Sequence, residues 1–343
     1  MGFGWGIVGF GWVAQDHMAP ALAATGHRLV AVTDPDPGAR GRAAALGART
    51  YADADALAAD PAVEAIYVAT PNHLHAEAVA AAARAGKPVL CEKPMAATLA
   101  AAEEMSRQVR RAGILYGTAF DQRHHPAHRA LREAVMAGRI GRPTAIRILY
   151  ACWVGPDWAE TGRENWRIDP GKAGGGALID LAPHGLDLVD FLVGEPLVEI
   201  RALLQQRVHG YPADDGGVLI GRTDSGILAS LHVAYNCPER LPRRRLEIQG
   251  AAGLLTAIDT MGQDSGGRVD LQDADGRVAS LNIRDAEISP FRAQAERFAE
   301  AVRGGDRSAF SLERDLHTMR LLDLAYRDAA RSPNVSAAVA AGP

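Results

Sequence analysis

The sequence predicts an α/β fold built in two parts. In residues 1–120, short apolar runs alternate with helical patterns, which indicates a parallel sheet with helices on both faces. In residues 121–343, consecutive strands are joined by short turns such as Asp224-Ser225-Gly226, which indicates an open, largely antiparallel sheet. We therefore expect two domains, 1–120 and 121–343, the second of them also an α/β domain.

The composition excludes several classes of partner. The chain has 343 residues, of which 48% are hydrophobic and 23% are charged. Its net charge of −4 gives no electrostatic reason to expect binding to nucleic acid or to an anionic membrane. No apolar run reaches the roughly 18 residues of a membrane span, and no signal-peptide pattern is expected at the N-terminus. Three widely spaced cysteines, Cys91, Cys152 and Cys237, favour reduced thiols and a cytoplasmic location.

The first strand and helix carry a dinucleotide-binding fingerprint. An apolar strand at residues 5–8 leads into Gly-x-Gly-x-x-Ala at residues 9–14, then a helical pattern and a second strand that ends at Asp34. Gly9 allows the tight turn, Gly11 lets the backbone approach a pyrophosphate, and the helix N-terminus favours the anion. Residues 1–120 are therefore predicted to form a Rossmann domain. Its first cofactor-binding residues are predicted to be Gly9, Phe10, Gly11, Trp12, Val13 and Asp34.

The acid at the end of the second strand also predicts which dinucleotide is bound. A carboxylate at Asp34 accepts hydrogen bonds from both ribose hydroxyls and repels a 2′-phosphate, so NAD is favoured over NADP. The alternative is a glycine turn with no ligand. The combined presence of strand, helix, second strand and acid argues against that alternative.

The alternation continues to the end of the first part. Helices are predicted at residues 38–46, 53–59, 76–85 and 99–111, and strands at 49–51, 63–70, 87–91 and 114–118. Ligand groups in a parallel sheet lie just beyond the C-terminal strand ends. The residues at such positions, which we expect at the cofactor, are Thr70, Asn72, His75, Glu92 and Lys93. His73 and His75 are spaced like metal ligands, but no carboxylate or thiol cluster accompanies them, so no metal site is predicted.

The second part is predicted to begin with a helix at 127–137 and a strand at 144–151. The later elements are helices at 177–192, 290–303 and 312–331, and strands at 198–207, 216–222, 226–235, 243–249, 253–257, 268–271 and 277–281. An open sheet leaves one face uncovered, which predicts a homodimer or homotetramer through that face. A loop holds Trp153, Trp158 and Trp166, which either fill a small core or form flat walls of a sugar site.

One helix of the second part carries a candidate acid/base pair. Three glycines at residues 174–176 precede it, and Asp180 and His184 stand four residues apart, hence on one face. A carboxylate beside an imidazole orients an acid/base histidine. The same spacing fits a solvated surface pair, so it does not decide the role by itself. We expect the glycines to let the backbone pass close to a nicotinamide.

Several stretches together resemble the glucose–fructose oxidoreductase, inositol dehydrogenase and rhizopine-catabolism family (Gfo/Idh/MocA). They lie at residues 6–11, 69–75, 86–94 with Glu92-Lys93-Pro94, 138–141, 166–167, and 174–184. The resemblance implies NAD(P)-dependent oxidation or reduction of a sugar, inositol or related polyol. It implies catalytic roles for Lys93, Asp180 and His184. It also implies that Trp166 and Arg167 approach the cofactor from the second domain.

The chain departs from the family pattern at Ala182-Pro183, where Gly-Val or a similar pair is usual. Proline inside a helix removes one backbone hydrogen bond, so Pro183 is expected to kink the axis and re-aim His184.

The mechanism expected from these residues is acid/base-assisted hydride transfer. His184 removes a proton from a ring hydroxyl, Asp180 orients His184 or binds a neighbouring hydroxyl, and Lys93 stabilises the reacting oxygen. The main variant makes Lys93 the proton acceptor. The predicted substrate-binding residues are Lys93, Arg123, Trp153, Asp180 and His184. Further residues expected to face the cleft are His124, Trp158, Arg163 and Tyr235.

Two other functions fit the same fold. One is a reductase of a keto sugar nucleotide or another carbonyl compound. The other is a nonenzymatic regulator that binds NAD and a sugar. The joint presence of Lys93, Asp180 and His184 argues against the regulator, because a sensor has no need of a proton-transfer group.

Overall fold

The structure, a computed structural model that describes residues 2–158 and 164–331, confirms the predicted α/β class. The strands of the first sheet are β1 (Gly4–Val8), β2 (Arg28–Thr33), β3 (Arg49–Thr50), β4 (Ala65–Val68), β5 (Val89–Cys91) and β6 (Tyr116–Thr118). They are all parallel and lie in the order β3-β2-β1-β4-β5-β6, which is the order of a Rossmann fold. The helices of this part are α1 (Ala19–Ala24), α2 (Pro37–Ala45), α3 (Ala54–Ala58), α4 (His75–Arg84) and α5 (Leu99–Ala112).

Side-chain caps begin the helices near the positions that the sequence predicts. The Asp36 carboxylate accepts from the first backbone N–H groups of α2, and the Thr98 hydroxyl caps α5 in the same way. Gly113 ends α5 in the left-handed conformation. The helix after the fingerprint departs from the prediction, because a π-helical turn at Ala14–Met18 precedes α1. The apolar pattern gave no sign of this turn.

The second sheet is mixed and largely antiparallel, as expected. Its strands are β7 (Pro143–Ala151), β8 (Leu197–Gln205), β9 (Gly216–Thr223), β10 (Leu228–Ala234), β11 (Arg244–Gly250), β12 (Gly253–Ile258), β13 (Arg268–Asp273) and β14 (Val278–Ser280). They lie in the order β14-β13-β12-β11-β7-β10-β9-β8, and only the central pair of β7 with β10 is parallel among these described strands. The helices are α6 (Pro126–Met136), α7 (Pro170–Ala173), α8 (Ala177–Val193), α9 (Pro290–Val302) and α10 (Leu312–Arg331).

Helix α8 covers the inner face of the second sheet. It runs through Pro183 without a break, so the proline does not end the helix that carries the candidate acid/base pair. The helix comes close to the sheet at Gly185, where an added Cβ would lie 2.5 Å from the side chain of Leu231. A side chain there would push α8 off the sheet. This close packing fixes the position of His184, the neighbouring residue.

Helix α9 packs on the first sheet although it follows the strands of the second. The ring of Phe298 lies 5.7 Å from that of Trp5 on β1, centroid to centroid, and both side chains are fully buried. Phe291 and Ala295 join the same apolar cluster. The boundary predicted at residue 120 separates the two sheets along the sequence, but α9 contributes to the core on the other side of it.

Candidate active site

A groove of about 970 Å³ lies at the C-terminal ends of β1, β2 and β4. Volumes of this order suit small-molecule and cofactor sites. From the first part of the chain it is lined by predicted cofactor residues, namely Gly9, Gly11, Trp12, Val13, Asp34 and Thr70. From the second part it is lined by residues that include Trp153, Trp158, Trp166 and Arg167.

The floor of the groove fits a dinucleotide. Gly9 has a φ of +87°, and a Cβ there would lie 2.7 Å from the carbonyl oxygen of Ala69, so only glycine allows this close approach of turn and strand. The hydroxyl of Thr70 is buried at the groove wall and has no hydrogen-bond partner among the described residues. Buried hydroxyls are nearly always hydrogen-bonded, so this one is available to a ligand. The groove thus combines a glycine turn with a polar group that lacks a partner.

The acid at the end of β2 is held in place by backbone. One oxygen of Asp34 accepts from the N–H of Phe10 at 2.7 Å, and the other accepts from the N–H of Asp36 at 2.8 Å. A carboxylate has about four acceptor positions, so it can also accept hydroxyls from a bound ribose. These contacts fix Asp34 at the groove that it lines.

Aromatic and cationic groups form the opposite wall. Trp12 meets Trp158 edge to face, with ring centroids 5.9 Å apart and planes at 82°. The guanidinium of Arg167 lies over the rings of Trp158 and Trp166, at 4.8 and 4.5 Å from their centroids. The three tryptophans of the loop are therefore not a separate small core, because Trp153 also lines the groove.

Two residues predicted at the cofactor have structural contacts instead. The ring of Phe10 is fully buried in the core, although its backbone N–H binds Asp34. The side-chain amide of Asn72 donates to the carbonyl of Ala173 at 2.9 Å, which joins the end of β4 to α7. Neither side chain lines the groove in the described part of the chain.

His75 and Glu92 are likewise buried behind the groove. The two ring nitrogens of His75 lie 3.0 Å from the carbonyl oxygen of Pro94 and 2.9 Å from that of Thr70. Burial lowers the pKa of His75 to about 4, so the ring is neutral at pH 7. Glu92 accepts from the hydroxyl of Tyr67, and burial raises its pKa. These residues support the turn at Lys93 and Pro94 instead of facing the groove.

Lys93 and Asp180 meet across the two parts of the chain. The ammonium of Lys93 donates to one carboxylate oxygen of Asp180 and, at 3.1 Å, to its backbone carbonyl. The hydroxyl of Tyr235 donates to the second carboxylate oxygen at 2.7 Å. Burial would raise the pKa of Asp180, but the positive charges of Lys93 and Arg167 outweigh it and hold that pKa well below its usual range. Asp180 is therefore a carboxylate at neutral pH.

Asp180 and His184 are not joined by a hydrogen bond among the described contacts, and the carboxylate of Asp180 accepts from Lys93 and Tyr235 instead. The carboxylate beside His184 is that of Asp121, which lies 3.4 Å from Nδ1. Burial, and then the charge of Lys93, lowers the pKa of His184 to about 3, so the ring is neutral at pH 7.

The three glycines at residues 174–176 pack closely against protein atoms, and their expected approach to a nicotinamide stays a prediction. Each lies against protein atoms so closely that no Cβ fits. The atoms in the way are the carbonyl oxygen of Ala97, the hydroxyl of Tyr326 and the carbonyl oxygen of Asp214, in that order. Asp214 also accepts from backbone N–H groups of residues 176 and 178 at the start of α8. The glycines thus anchor the helix that carries Asp180.

Arg123 does not face the cleft as expected. Its guanidinium donates to both carboxylate oxygens of Asp187, at 2.7 and 2.6 Å, and to Asp190 at 2.7 Å. Its side chain is 9% exposed, and that of Asp187 is fully buried. This ion pair joins the segment after β6 to α8, and it directs Nε and Nη2 of the guanidinium to acids of α8.

The other residues expected at the cleft lie in different surroundings. His124 is buried and stacks on Phe310, away from the groove. Trp153 is 40% exposed at the groove and packs edge-on against His209 at 4.7 Å. Tyr235 is buried but reaches Asp180. Arg163 lies outside the described residues.

Asp121 is a residue beside the proposed catalytic group that was not predicted from the sequence. It comes three residues after the end of β6, and so at the same sheet edge as Lys93 and Thr70. The rule for strand ends applied to it equally. The residues after Asp121 are polar and loop-like, so its position at a strand end was not recognised.

The described residues contain neither a metal-binding cluster nor a membrane-spanning helix. No three His, Cys, Asp or Glu side chains there converge in a way that could hold a metal ion. No described helix combines the length and the apolar character needed to cross a membrane.

Comparison with known proteins adds independent findings. Residues 3–120 match the model of an oxidoreductase family with an NAD-binding Rossmann fold, and residues 128–256 match the GFO/IDH/MocA C-terminal domain. The chain is similar to 1,5-anhydro-D-fructose reductase of Ensifer adhaerens, with 32% identity over 92% of this chain and 95% of that protein. It is 30% identical to D-xylose 1-dehydrogenase (NADP(+)) 2 of Haloferax volcanii, over 94% of this chain and 96% of that protein. Its fold is similar to the crystal structure of aldose-aldose oxidoreductase from Caulobacter crescentus complexed with glycerol, with a TM-score of 0.84, 26% identity, and 96% and 98% coverage.

Proposed function

The chain belongs to the GFO/IDH/MocA family of oxidoreductases, and from that premise we propose that it transfers hydride between a nicotinamide dinucleotide and a ring carbon of a sugar, inositol or related polyol. The observation that carries the proposal is the contact of Lys93 with Asp180. It joins a strand end of the first sheet to a helix of the second, and the charge of Arg167, which lines the groove, acts on the same carboxylate. The relatives named for anhydrofructose and xylose support this substrate class.

The residues divide the work of proton transfer and charge stabilisation. When bound, the dinucleotide supplies or accepts the hydride. In oxidation, His184 accepts the proton of the ring hydroxyl, for which it must start neutral, and its lowered pKa keeps it so. Lys93 donates a hydrogen bond to the reacting oxygen as negative charge develops there. Asp180 holds Lys93 in position, and Tyr235 in turn donates to Asp180. The variant in which Lys93 itself transfers the proton uses the same contacts.

The test is turnover with a panel of inositols, aldoses and anhydrosugars, followed by the absorbance of reduced nicotinamide. We expect at least one of them to reduce NAD⁺ at a rate that depends on Lys93. If the dinucleotide binds but no compound turns over in either direction, the chain is a nonenzymatic NAD- and sugar-binding regulator.

A second candidate is the reduction of a carbonyl compound such as a keto sugar or keto sugar nucleotide. The observation that favours it is the contact of Lys93 with Asp180, which places an ammonium, a hydrogen-bond donor for a carbonyl oxygen, where the two parts of the chain meet. Oxidation of NADH by keto sugars tests it. A rate below that of the oxidative reaction under matched conditions would rule against reduction as the main activity.

We further propose that NAD is preferred over NADP, and we expect Asp34→Asn to reduce that preference. The carboxylate repels a 2′-phosphate and accepts ribose hydroxyls. We expect wild-type protein to bind NADH about tenfold more tightly than NADPH, and the variant to lose most of this difference. The measurement is the dissociation constant of each reduced dinucleotide by fluorescence titration. Asp53→Asn, at the cap of α3, is the matched control and should leave both constants unchanged. Equal constants in wild-type protein would contradict the proposal.

We also propose that two copies of the chain pair through the outer face of the second sheet. Apolar side chains exposed there are Val198, Leu203, Val218, Ile220 and Leu228. Leu203 and Val218 are direct neighbours on paired strands, so these side chains form a patch and are not scattered singly. We expect light scattering to give the mass of a dimer or tetramer, and Ile220→Glu to give a smaller mass. A monomer in wild-type protein would exclude this interface.

A cytoplasmic location completes the proposal. The three cysteines are free thiols in the structure, as suits a reducing compartment. Fractionation of cells that produce the protein tests it, and recovery outside the cytoplasm would contradict it.

A further inference from the structure

The contact of His184 with Asp121 has no assigned role in the mechanism above. Asp121 belongs to a short 3₁₀ helix, Asp121–His124, that follows β6, whereas His184 lies in the middle of α8. Oδ1 of Asp121 lies 3.4 Å from Nδ1 of His184, and both side chains are 6% exposed. Nδ1 is buried without a hydrogen-bond partner in the described part of the chain. The two groups therefore face each other inside the protein with little water between them.

The second oxygen of Asp121 is already occupied. Gln122 donates from Nε2 to Oδ2 of Asp121 at 2.8 Å, and the same amide nitrogen donates to the carbonyl of Gly262 at 2.7 Å. The backbone N–H of Gly262 donates to Oε1 of Gln122 in return. The amide of Gln122 is thus fixed at both ends, and it holds the carboxyl group of Asp121 with Oδ1 toward His184.

We propose that Asp121 is a positioning residue that selects which ring nitrogen of His184 carries the proton. When Asp121 is protonated, it donates to Nδ1, and the ring proton is on Nε2. When Asp121 is ionised, it accepts from a proton on Nδ1, and Nε2 becomes an acceptor. Between the two states the pair loses one proton to solvent, and the ring stays neutral in both. This inference rests on the proposed function of the site, because Nε2 is the nitrogen left to meet a substrate oxygen.

The consequence is a change of chemical role at one atom. With the proton on Nε2, His184 donates a hydrogen bond, which suits a carbonyl oxygen that is being reduced. With Nε2 bare, His184 accepts a proton, which suits oxidation of a hydroxyl. In the second state the carboxylate of Asp121 also stabilises the imidazolium that forms. Asp121 then has the orienting role that the sequence assigned to Asp180.

The surroundings place this exchange in the physiological pH range. Burial, followed by the charge of Glu92, raises the pKa of Asp121 to about 7. The titratable groups that face the pair come from each neighbouring element: Glu92 and Lys93 after β5, Tyr67 on β4, Tyr150 on β7, His128 on α6 and Asp180 on α8. The lysine opposes the rise in pKa and the glutamate supports it.

The direct test is ¹⁵N NMR of the full-length protein with labelled histidine, with His184 assigned by its loss in His184→Gln. We expect Nε2 to be protonated at pH 5.5 and Nδ1 to be protonated at pH 8.5, with a midpoint at about pH 7. Asp121→Asn should hold one tautomer across this range. It should also remove the ionisation near pH 7 from the pH profile of kcat/KM. Asp190→Asn, on the same helix, is the control and should keep the wild-type midpoint.

The outcomes separate this inference from the proposed function. A single tautomer of His184 at every pH in wild-type protein overturns the inference, and that titration does not depend on whether the variant folds. An exchange that persists unchanged in Asp121→Asn overturns it as well. If the tautomers exchange as expected but no sugar turns over, the inference stands and the proposed reaction fails.

Discussion

Replacing Lys93 with methionine is expected to lower kcat by roughly 10³-fold or more with the best substrate. The side chain keeps its length, but the ammonium that meets the reacting oxygen is gone. Asp180 loses its main counter-charge, but the hydroxyl of Tyr235 still donates a hydrogen bond to it. Lys93 does not line the groove proposed for the dinucleotide, so the dissociation constant of NADH should change by less than about threefold. Initial rates and fluorescence titration measure the two effects.

The matched control is Lys87→Met, because Lys87 lies just before the same strand, β5, at its opposite end. Its ammonium donates to the carbonyls of Asp60 and Val63, away from the groove. That variant should keep kcat within about threefold. If Lys93→Met retains more than a tenth of the wild-type rate, Lys93 neither stabilises the oxygen nor moves the proton, and the proposed mechanism is wrong.

Replacing Arg123 with methionine is expected to lower the free energy of unfolding by about 3–5 kcal/mol. The change leaves the buried carboxylate of Asp187 without the partner that donates to both of its oxygens. Arg314, 3.3 Å away, offsets only part of that loss. KM should stay near the wild-type value in the folded fraction, because Arg123 does not face the cleft. Urea unfolding followed by circular dichroism gives the first quantity, and initial rates give the second.

An exposed pair supplies the control for this prediction. Arg84 on α4 pairs with Asp55 on α3, and their side chains are 60% and 63% exposed. Arg84→Met should lower the free energy of unfolding by less than about 1 kcal/mol, as loss of an exposed pair does. A large rise in KM for Arg123→Met at normal stability would restore the substrate-binding role that the sequence suggested.

The sequence was sufficient to predict those parts of the fold and of the site that follow from the alternation of strands and helices. The fingerprint at residues 9–14, the acid at Asp34 and the polar groups after the strands all follow from strand–helix alternation, and the groove forms where those strands end. Lys93 was found in the same way. These features depend on neighbours in sequence, so spacing alone locates them.

The hydrogen-bond and ion-pair partners of the site residues could not be predicted from sequence spacing. Asp180 and His184 are four apart, yet their polar contacts are with Lys93, Tyr235 and Asp121, each more than fifty residues distant. Whether an arginine such as Arg123 binds a substrate or a buried acid depends on the face it presents after folding. The glycines before α8 likewise needed the positions of Tyr326 and Asp214, which lie far along the chain.

The return of helix α9 to the first sheet bears on the order in which this chain can fold. The apolar side chains of β1 precede the second sheet in the sequence, but Phe291 and Phe298 of the same apolar cluster follow it. The six parallel strands alone lack the ring of Phe298, which packs on Trp5. The Rossmann sheet must therefore wait for the second sheet to be made before its own core is closed. The core of the dinucleotide-binding half is therefore completed by a helix that follows the second sheet in the sequence, and not by its own six strands alone.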